Sequence, residues 1–306
     1  MTASLPAAPP LDRSGRASVP RRVAAWLHRH PRVRLWLLLA APLGWLVLAY
    51  LGSLVVLFVN AFWSVDPFTG STVYVPTLAN FERLFSSDVF RTITIRTLGV
   101  AAAVTVTDAV IAFPIAYYMA RVASPRVRAW LVVAVLIPLW SSYLVKVYAW
   151  RIILQDNGPL NALLRPFGLE APDATAGEIR LWITYSYLWL PYMILPIFAG
   201  LERIPGSLIE ASGDLGGRAW RTFRHIVLPL AFPAVVAGSI FTFSLTMGDY
   251  IAPNQLSSVQ FIGNVVQSNV GIAGDLPFAA AFALVPVAVM VMYLLVARRL
   301  GAFEEL

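Results

Sequence analysis

The chain has 306 residues, of which 58% are hydrophobic and only 13% are charged, and its formal net charge is +7. Soluble domains use about 25% charged residues, so the apolar excess must face something other than water, and lipid is the obvious candidate. The sequence contains no cysteine, and its three histidines lie in arginine-rich polar segments. Disulfides, thiolate metal sites and cysteine nucleophiles are therefore excluded, and a histidine-rich metal site is not expected.

The N-terminal segment, residues 1–34, is polar and basic, and we expect it to be a cytoplasmic tail. The apolar stretch that follows runs from Leu35 to about Trp63. It exceeds the roughly 7–15 residues of a signal-peptide core and has no convincing cleavage site, so we predict an uncleaved first membrane span. The seven arginines of the tail are Arg13, Arg16, Arg21, Arg22, Arg29, Arg32 and Arg34.

Five further apolar stretches follow, each near or above the ~20 residues that a helix needs to cross the hydrocarbon layer. A soluble core of buried helices is the alternative, but the chain has too little polar sequence to coat six such segments. We predict an all-α polytopic membrane protein, with about six transmembrane helices in residues 35–299 and a cytoplasmic tail in residues 300–306. The five stretches are Thr92–Ala120, Trp130–Leu154, Leu181–Leu201, Ala231–Ile251 and Pro277–Ala297.

The arginines indicate the orientation of these spans. With six spans, sixteen arginines fall in the two tails and in the segments after the second and fourth spans, whereas five fall in the opposite loops. Cytoplasmic loops carry the excess of basic residues, so both termini are expected in the cytoplasm. The basic residues form no continuous face, so membrane lipid is an expected partner and nucleic acid is not.

Four charged residues stand out inside the predicted spans, where charge is costly and marks a functional site by default. Asp108 is near the middle of the second span, Lys146 and Arg151 are in the third, and Asp249 is near the end of the fifth. The aspartates could attract a cationic solute or could form structural ion pairs with Lys146 or Arg151. The ion pair is the favoured interpretation for Asp108, whereas the two stand level for Asp249. The side chains of Lys146 and Arg151 could instead extend towards the membrane interface.

Aromatic residues accompany these charges. Tyr and Trp rings can bind an amine through cation–π contact, but aromatic residues near a membrane surface also form the interfacial belt. Both interpretations stay open. The candidate translocation path consists of Asp249, Tyr250, Asp108, Tyr148 and Trp150.

The segment between the fourth and fifth spans, from about Glu202 to Pro229, reads ERIPGSLIEASGDLGGRAWRTFRHIVLP. Pro205 can open a short helix, and Gly216 and Gly217 can end it because glycine tolerates the left-handed cap conformation. A second short helix is expected from Arg218. Apolar residues on both helices indicate that the segment docks on a partner protein.

This segment resembles the EAA loop of the binding-protein-dependent ABC importer permeases. The family's pattern is Glu-Ala-Ala, three residues, Gly, and nine residues to an Ile-x-Leu-Pro ending. The resemblance implies a type I ABC importer permease fold, with Glu210 as the charged anchor on an ATPase and Gly216 as the turn between two short helices. The matching positions are Glu210, Ala211, Ser212, Gly216, Phe223, Ile226, Leu228 and Pro229, with Ser212 replacing the second alanine.

Three further runs are similar to the spermidine/putrescine permease subfamily, and most of all to the first of its two permease subunits. The resemblance implies a polyamine or a similar small solute, although many members of the subfamily move other solutes. The runs are PLWSSYLVKVYAWRIILQDNGPLN at 138–161, MGDYIAPNQL at 247–256 and IGNVVQ at 262–267.

The resemblance also implies partners: a second permease subunit of different sequence, an ABC ATPase dimer and an extracytoplasmic solute-binding protein, at a bacterial inner membrane. The chain has no G-x-x-x-x-G-K-[ST] phosphate loop, so we expect a non-catalytic subunit without a cofactor, whose ATPase partner binds ATP and magnesium. A secondary transporter driven by an ion gradient is the alternative. It should show internal repeats, of which none is convincing, and it leaves the EAA-like loop unexplained.

Overall fold

The computed structural model describes residues 28–172 and 176–299, which are mainly helical; most of the predicted N-terminal tail and the whole of 300–306 lie outside the described residues. The chain divides into two compact units between Leu57 and Phe58. In chain order the helices are α1 (Pro31–Asn60), α2 (Ala79–Ser86), α3 (Asp88–Val122), α4 (Pro125–Trp140), α5 (Tyr143–Ile153), α6 (Pro159–Leu164), α7 (Gly177–Arg203), α8 (Gly206–Asp214), α9 (Ala219–Gly248), α10 (Ile251–Leu256), α11 (Ile262–Ser268) and α12 (Leu276–Arg299).

The described part of the first unit belongs to α1, the first predicted span. Pro31 stands at its first position, where the missing N–H has no helical partner to lose. Pro42 lies inside the helix, and a π-turn at Val47–Leu51 is closed by a hydrogen bond from the Gly52 N–H to the Val47 carbonyl. The apolar stretch therefore forms a helix, as predicted, with an irregular turn in its middle.

The second unit begins with a β-hairpin, in which β1 (Ser64–Val65) pairs antiparallel with β2 (Thr72–Val73). This hairpin is a small exception to the all-α prediction. The amide of Asn80 in α2 donates a 2.7 Å hydrogen bond to the Trp63 carbonyl, which holds α2 beside the chain that leads into the hairpin. We refer to this end of the second unit as the hairpin end.

Three long helices, α3, α7 and α9, pack against one another and form the core of the second unit. Glycines allow α7 and α9 to approach closely. A Cβ at Gly200 would overlap the side chain of Ala234, and one at Gly238 would lie 2.7 Å from the Met193 sulfur. Small residues commonly mediate such contacts between membrane helices, because association in lipid depends on close packing.

Helix α12 packs on the core from the hairpin end. Its buried Phe278 and Phe282 contact Phe90 of α3, with ring centroids 4.9 and 5.5 Å apart. Arg83 of α2 forms a 3.1 Å ion pair with Asp275, and its guanidinium lies 4.0 Å from the centroid of the Phe278 ring. These contacts fix α2 and the start of α12 to the same end of α3.

The third predicted span, Trp130–Leu154, is broken, so the prediction of one continuous helix is wrong. Helices α4 and α5 meet at an angle of 91°, because Ser141 and Ser142 both adopt extended backbone conformations. The Ser141 hydroxyl and the Lys146 ammonium donate to the Pro138 carbonyl at 3.1 and 3.0 Å. These bonds satisfy a carbonyl that the end of α4 would otherwise leave without a partner.

Among residues 28–172 and 176–299, five helices are long and apolar enough to cross a membrane, and the bent pair α4–α5 makes six if it counts as one span. The prediction of a polytopic α-helical membrane protein with about six spans is confirmed in that form. The outward faces of α3 and α12 are apolar, as contact with lipid tails requires. Their exposed side chains include Ile95, Val106, Val110, Val291, Met292 and Leu295.

Candidate functional site

The segment between α7 and α9 contains the first predicted short helix, α8, and ends it as expected. The Gly217 N–H donates to the Ser212 carbonyl at 2.8 Å, and the Gly216 N–H donates to the Gly213 carbonyl at 2.9 Å. This pair of bonds is the Schellman motif that often closes a helix. Gly216 has a φ angle of +76°, which only glycine adopts without strain. The prediction that the two glycines stop this helix is confirmed.

A second contact joins α8 to the first turn of α9. The hydroxyls of Ser212 and Thr222 are 2.8 Å apart and hydrogen-bonded. A Cβ at Gly217 would lie 2.5 Å from the Ser212 hydroxyl oxygen, so glycine is needed there for packing. Ser212, where the chain departs from the EAA pattern, therefore has a structural role that alanine could not fill.

The second helix expected from Arg218 is not a separate short helix, so that prediction is corrected. It is the beginning of α9, which continues to Gly248. The helix passes through Pro229, and a π-turn at Phe223–Val227 lies immediately before it, closed by the Leu228 N–H on the Phe223 carbonyl. A proline ring presses on the carbonyl four residues earlier in a regular helix, and the wider turn gives this ring room.

The motif residues differ in exposure, so the loop presents one part of its surface outward and packs the other. Leu215 and Trp220 are 90% and 69% exposed, whereas Phe223 is half-buried against Phe113, with ring centroids 5.5 Å apart. Ser212 and Ile226 are also half-buried. The other motif positions are exposed: Glu210, Ala211, Gly216, Leu228 and Pro229.

Asp249 follows α9 directly and accepts hydrogen bonds from three parts of the fold. The hydroxyls of Tyr143 in α5 and Tyr185 in α7 donate to it, the latter at 2.9 Å. The N–H groups of Ile251 and Ala252 donate at 3.0 and 3.2 Å and start α10. Asp249 therefore anchors the junction of α5, α7, α9 and α10, and it pairs with neither of the two intramembrane basic residues.

Asp249 also borders a cleft of about 300 Å³. Two aromatic rings of this cleft, Tyr143 and Trp189, are stacked with centroids 5.8 Å apart. A Cβ at Gly263 would lie 2.6 Å from the Asp249 carbonyl carbon, so glycine allows the start of α11 to pack on this junction. The cleft is lined by Tyr143, Trp189, Ser244, Leu245, Gly248 and Asp249.

The other aromatic residues of the predicted path do not join this cleft. Tyr250 borders a separate apolar cavity of about 470 Å³ between α9, α11 and α12. Tyr148 is exposed, and Trp150 packs on Tyr187 with ring centroids 5.5 Å apart. Tyr185 was not predicted from the sequence, because it is one of several aromatic residues in an apolar run and only its contact with Asp249 distinguishes it.

Asp108 lies in the core with 0% of its surface exposed, and the ion pair predicted for it is absent. Neither carboxylate oxygen has a hydrogen-bond partner among the described residues. Lys146 bonds instead to the Pro138 carbonyl, and the Arg151 guanidinium donates to the Gln255 side chain at 2.9 Å. The preference for a structural ion pair at Asp108 was therefore wrong.

Arg121 and Arg128, which entered the sequence analysis only as part of the arginine count, bind specific partners at the end of α7. Arg121 donates to the Leu201 and Ile204 carbonyls. Arg128 forms a 2.9 Å ion pair with Glu202. Within residues 28–172 and 176–299, no group of three or more His, Asp or Glu side chains could hold a metal ion.

The arrangement of the helices is that of an ABC importer permease. A bacterial ABC transporter involved in the import of the acidic polysaccharide alginate has a chain that aligns with a TM-score of 0.63, covering 91% of this chain and 99% of that one at 17% identity. A second structure of the alginate transporter, with an alginate-bound periplasmic protein, gives a TM-score of 0.66 over 90% and 97% of the chains at 16% identity. At this identity the likeness concerns the fold.

Residues 112–303 match the family of binding-protein-dependent transport system inner membrane components. The chain is 44% identical to the inner membrane ABC transporter permease protein YdcU of Escherichia coli, over 93% of this chain and 95% of YdcU. It is 31% identical to the spermidine/putrescine permease protein PotB of Haemophilus influenzae, over 67% of this chain and 72% of PotB. The chain therefore belongs to this family and is an inner-membrane permease subunit of an ABC importer. The ion-gradient alternative gains no support from these comparisons.

Proposed function

We propose that this permease carries a polyamine, such as spermidine or putrescine, across the inner membrane. The relative PotB supports this choice of solute, because it is named as a spermidine/putrescine permease protein. The name of YdcU states no solute. The observation that carries the proposal is the cleft beside Asp249, in which a carboxylate lies next to the stacked rings of Tyr143 and Trp189. An ammonium group that leaves water needs such partners to offset its lost hydration.

The Asp249 carboxylate already accepts four hydrogen bonds from the chain. No basic side chain neutralises it among the ion pairs of the described residues. Its charge is therefore available to attract a cation, while its oxygens are held in place by the surrounding donors. In this proposal Asp249 supplies the negative field of the cleft, and the aromatic rings supply the faces along which an amine passes.

Coupling to ATP hydrolysis is proposed to occur through residues 206–229. Leu215 and Trp220 expose large apolar side chains on this loop, and such groups mark a protein-binding surface when they face a polar medium. A separate ATPase dimer, which binds ATP and magnesium, would receive α8 in a groove, with Glu210 as a charged contact at its edge. Closure of the dimer would then rock the permease pair between inward-open and outward-open states.

The remaining partners complete the proposed importer. A second permease subunit of different sequence would pair with this one, and an extracytoplasmic binding protein would deliver the solute. The excess of arginines at the tails and on the α8 side favours a cytoplasmic position for both termini. The chain itself would be a non-catalytic subunit.

The test is reconstitution of the complete transporter with its neighbouring subunits in proteoliposomes, with uptake of labelled spermidine and putrescine as the measurement. We expect uptake that depends on ATP and on the binding protein. Glu210→Lys should abolish binding-protein-stimulated ATP hydrolysis, whereas Asp214→Asn, which alters another exposed acid of α8, should leave most of it intact. Absence of polyamine uptake in an active wild-type complex would refute the solute but not the permease assignment.

A further inference from the structure

Arg121 lies in the last turn of α3, a π-turn at Tyr118–Val122. One terminal nitrogen of its guanidinium donates to the Leu201 carbonyl at 2.5 Å and to the Ile204 carbonyl at 2.6 Å. The last carbonyls of a helix have no partner within the helix, and a cationic side chain there satisfies them and complements the helix dipole. Arg121 thus caps α7 from a neighbouring helix.

The cap formed by Arg121 lies at the point where α7 ends and the loop begins. Leu201 and Ile204 are both buried, and α8 begins at Gly206, just beyond Ile204. A movement of α8 therefore reaches Ile204 after a very short length of chain. Through its two hydrogen bonds, Arg121 connects this point to the end of α3.

The same part of α3 also contacts the other side of the loop. Phe113, Tyr117 and Arg121 follow one another at intervals of four residues, which places side chains on one face of a helix. The ring of Phe223, in the first part of α9, packs on Phe113 and Tyr117 with centroids 5.5 and 6.4 Å away. One strip of α3 therefore touches the chain just before α8 and just after it.

Between these two contacts the loop is held together by its own bonds. The Schellman motif at Gly216 closes α8, and the hydrogen bond between Ser212 and Thr222 joins α8 to α9. Packed protein elements of this kind transmit a displacement rather than absorb it. We propose that Arg121 is a positioning residue that ties the coupling loop to α3, so that movement of α8 on the ATPase is passed to α3 as well as to α7 and α9.

This proposal rests on the proposed function, because it assumes that an ATPase moves α8. Arg126 provides the matched control, since it lies five residues further along in the first turn of α4, carries the same charge and is exposed. Replacing either arginine by glutamine removes one positive charge near the junction of α3 and α4. Only the replacement at Arg121 removes the bonds to Leu201 and Ile204.

The experiment uses the complete transporter in proteoliposomes and measures two quantities for each variant, ATP hydrolysis and solute uptake, together with co-purification of the ATPase. Arg121→Gln should co-purify with the ATPase and hydrolyse ATP, but its uptake per ATP should fall about tenfold, within the usual range of coupling between sites. Arg126→Gln should match the wild type. Arg121→Lys, which keeps the charge but lacks the planar donor fork, should be intermediate.

A general loss of stability would lower hydrolysis and uptake together, so their ratio separates a positioning role from a merely structural one. The proposal is overturned if Arg121→Gln keeps the wild-type ratio, if Arg126→Gln lowers the ratio equally, or if Arg121→Gln no longer binds the ATPase. If Arg121→Gln does not accumulate in the membrane, the ratio measured for Arg121→Lys decides in the same way. An inactive wild-type complex would instead count against the proposed function.

Discussion

Tyr185 donates a 2.9 Å hydrogen bond from its hydroxyl to Asp249, across 64 residues of sequence. Tyr185 is 1% exposed and lies in α7, whereas Asp249 follows the end of α9. This bond, together with the one from Tyr143, connects α7, the broken span and the junction of α9 with α10. Asp249, a candidate for the solute path, is therefore a structural anchor.

The two roles of Asp249 can be separated by replacing donor and acceptor in turn. Tyr185→Phe keeps the charge and removes one hydrogen bond to a charged group, which should lower stability by about 1.5–3 kcal/mol. Asp249→Asn, in contrast, removes the negative charge of the carboxylate. We expect both variants to lower the midpoint of thermal unfolding of the purified complex, but only Asp249→Asn to lower polyamine uptake per folded complex. The control is Tyr187→Phe, at an exposed tyrosine two residues further along α7. Equal uptake per folded complex in Asp249→Asn and the wild type would leave Asp249 as an anchor alone.

The two glycines that close α8 should differ in the reason for their sensitivity. Gly216→Ala places a side chain at a φ of +76°, which costs about 1–2 kcal/mol in the left-handed region. Gly217→Ala places a Cβ 2.5 Å from the Ser212 hydroxyl oxygen and should break the bond to Thr222. Both should reduce binding-protein-stimulated ATP hydrolysis.

Gly213→Ala is the matched control for these two variants, because a Cβ at Gly213 would meet no atom within 4 Å and alanine favours the helix. It should leave the stimulated hydrolysis unchanged. If Gly216→Ala and Gly217→Ala behave like Gly213→Ala, the geometry of the α8–α9 turn has no part in coupling.

Asp108 should tolerate replacement, since its carboxylate has no partner among the described residues. Removing a buried polar group that makes no hydrogen bond relieves a penalty of about 1–3 kcal/mol, so Asp108→Leu, whose side chain has no polar atom, should leave the unfolding midpoint unchanged or raise it. A double-mutant cycle with Lys146→Met should give a coupling energy below about 0.5 kcal/mol, as for residues that share no contact. A coupling of several kcal/mol between Asp108 and Lys146 would contradict this prediction and indicate that the two residues form an ion pair.

The orientation of the chain is open to a direct test with reporter fusions. A reporter after Phe303 should report the cytoplasm, because arginines are concentrated at the tails and on the α8 side. The second reporter belongs at the hairpin turn between Asp66 and Gly70, whose residues are largely exposed. Opposite sides are expected, and the same side for both would refute the six-span orientation.

The features that depend on local chemistry could be predicted from the amino-acid sequence alone. An apolar run long enough to cross a membrane forms a helix because lipid offers no hydrogen-bond partners to its backbone. These runs could be recognised in the sequence by their length and composition. The end of α8 is equally local, since it depends on the backbone freedom of Gly216 and on the close packing of Gly217 against Ser212. The EAA pattern then identified the class of protein.

Which charged and aromatic residues contact one another depends on the packing of the helices and could not be predicted from the sequence. At the break between α4 and α5, the Lys146 ammonium donates a hydrogen bond to the Pro138 carbonyl. Helix α5 then packs where the Tyr143 hydroxyl can donate to Asp249, 106 residues away in sequence. Asp108 and Lys146 could have paired by composition, yet the packing of α3 and α5 gives them separate surroundings. Such pairings depend on the mutual rotation and depth of helices distant in sequence, which are set by the close fit of side chains across the whole core.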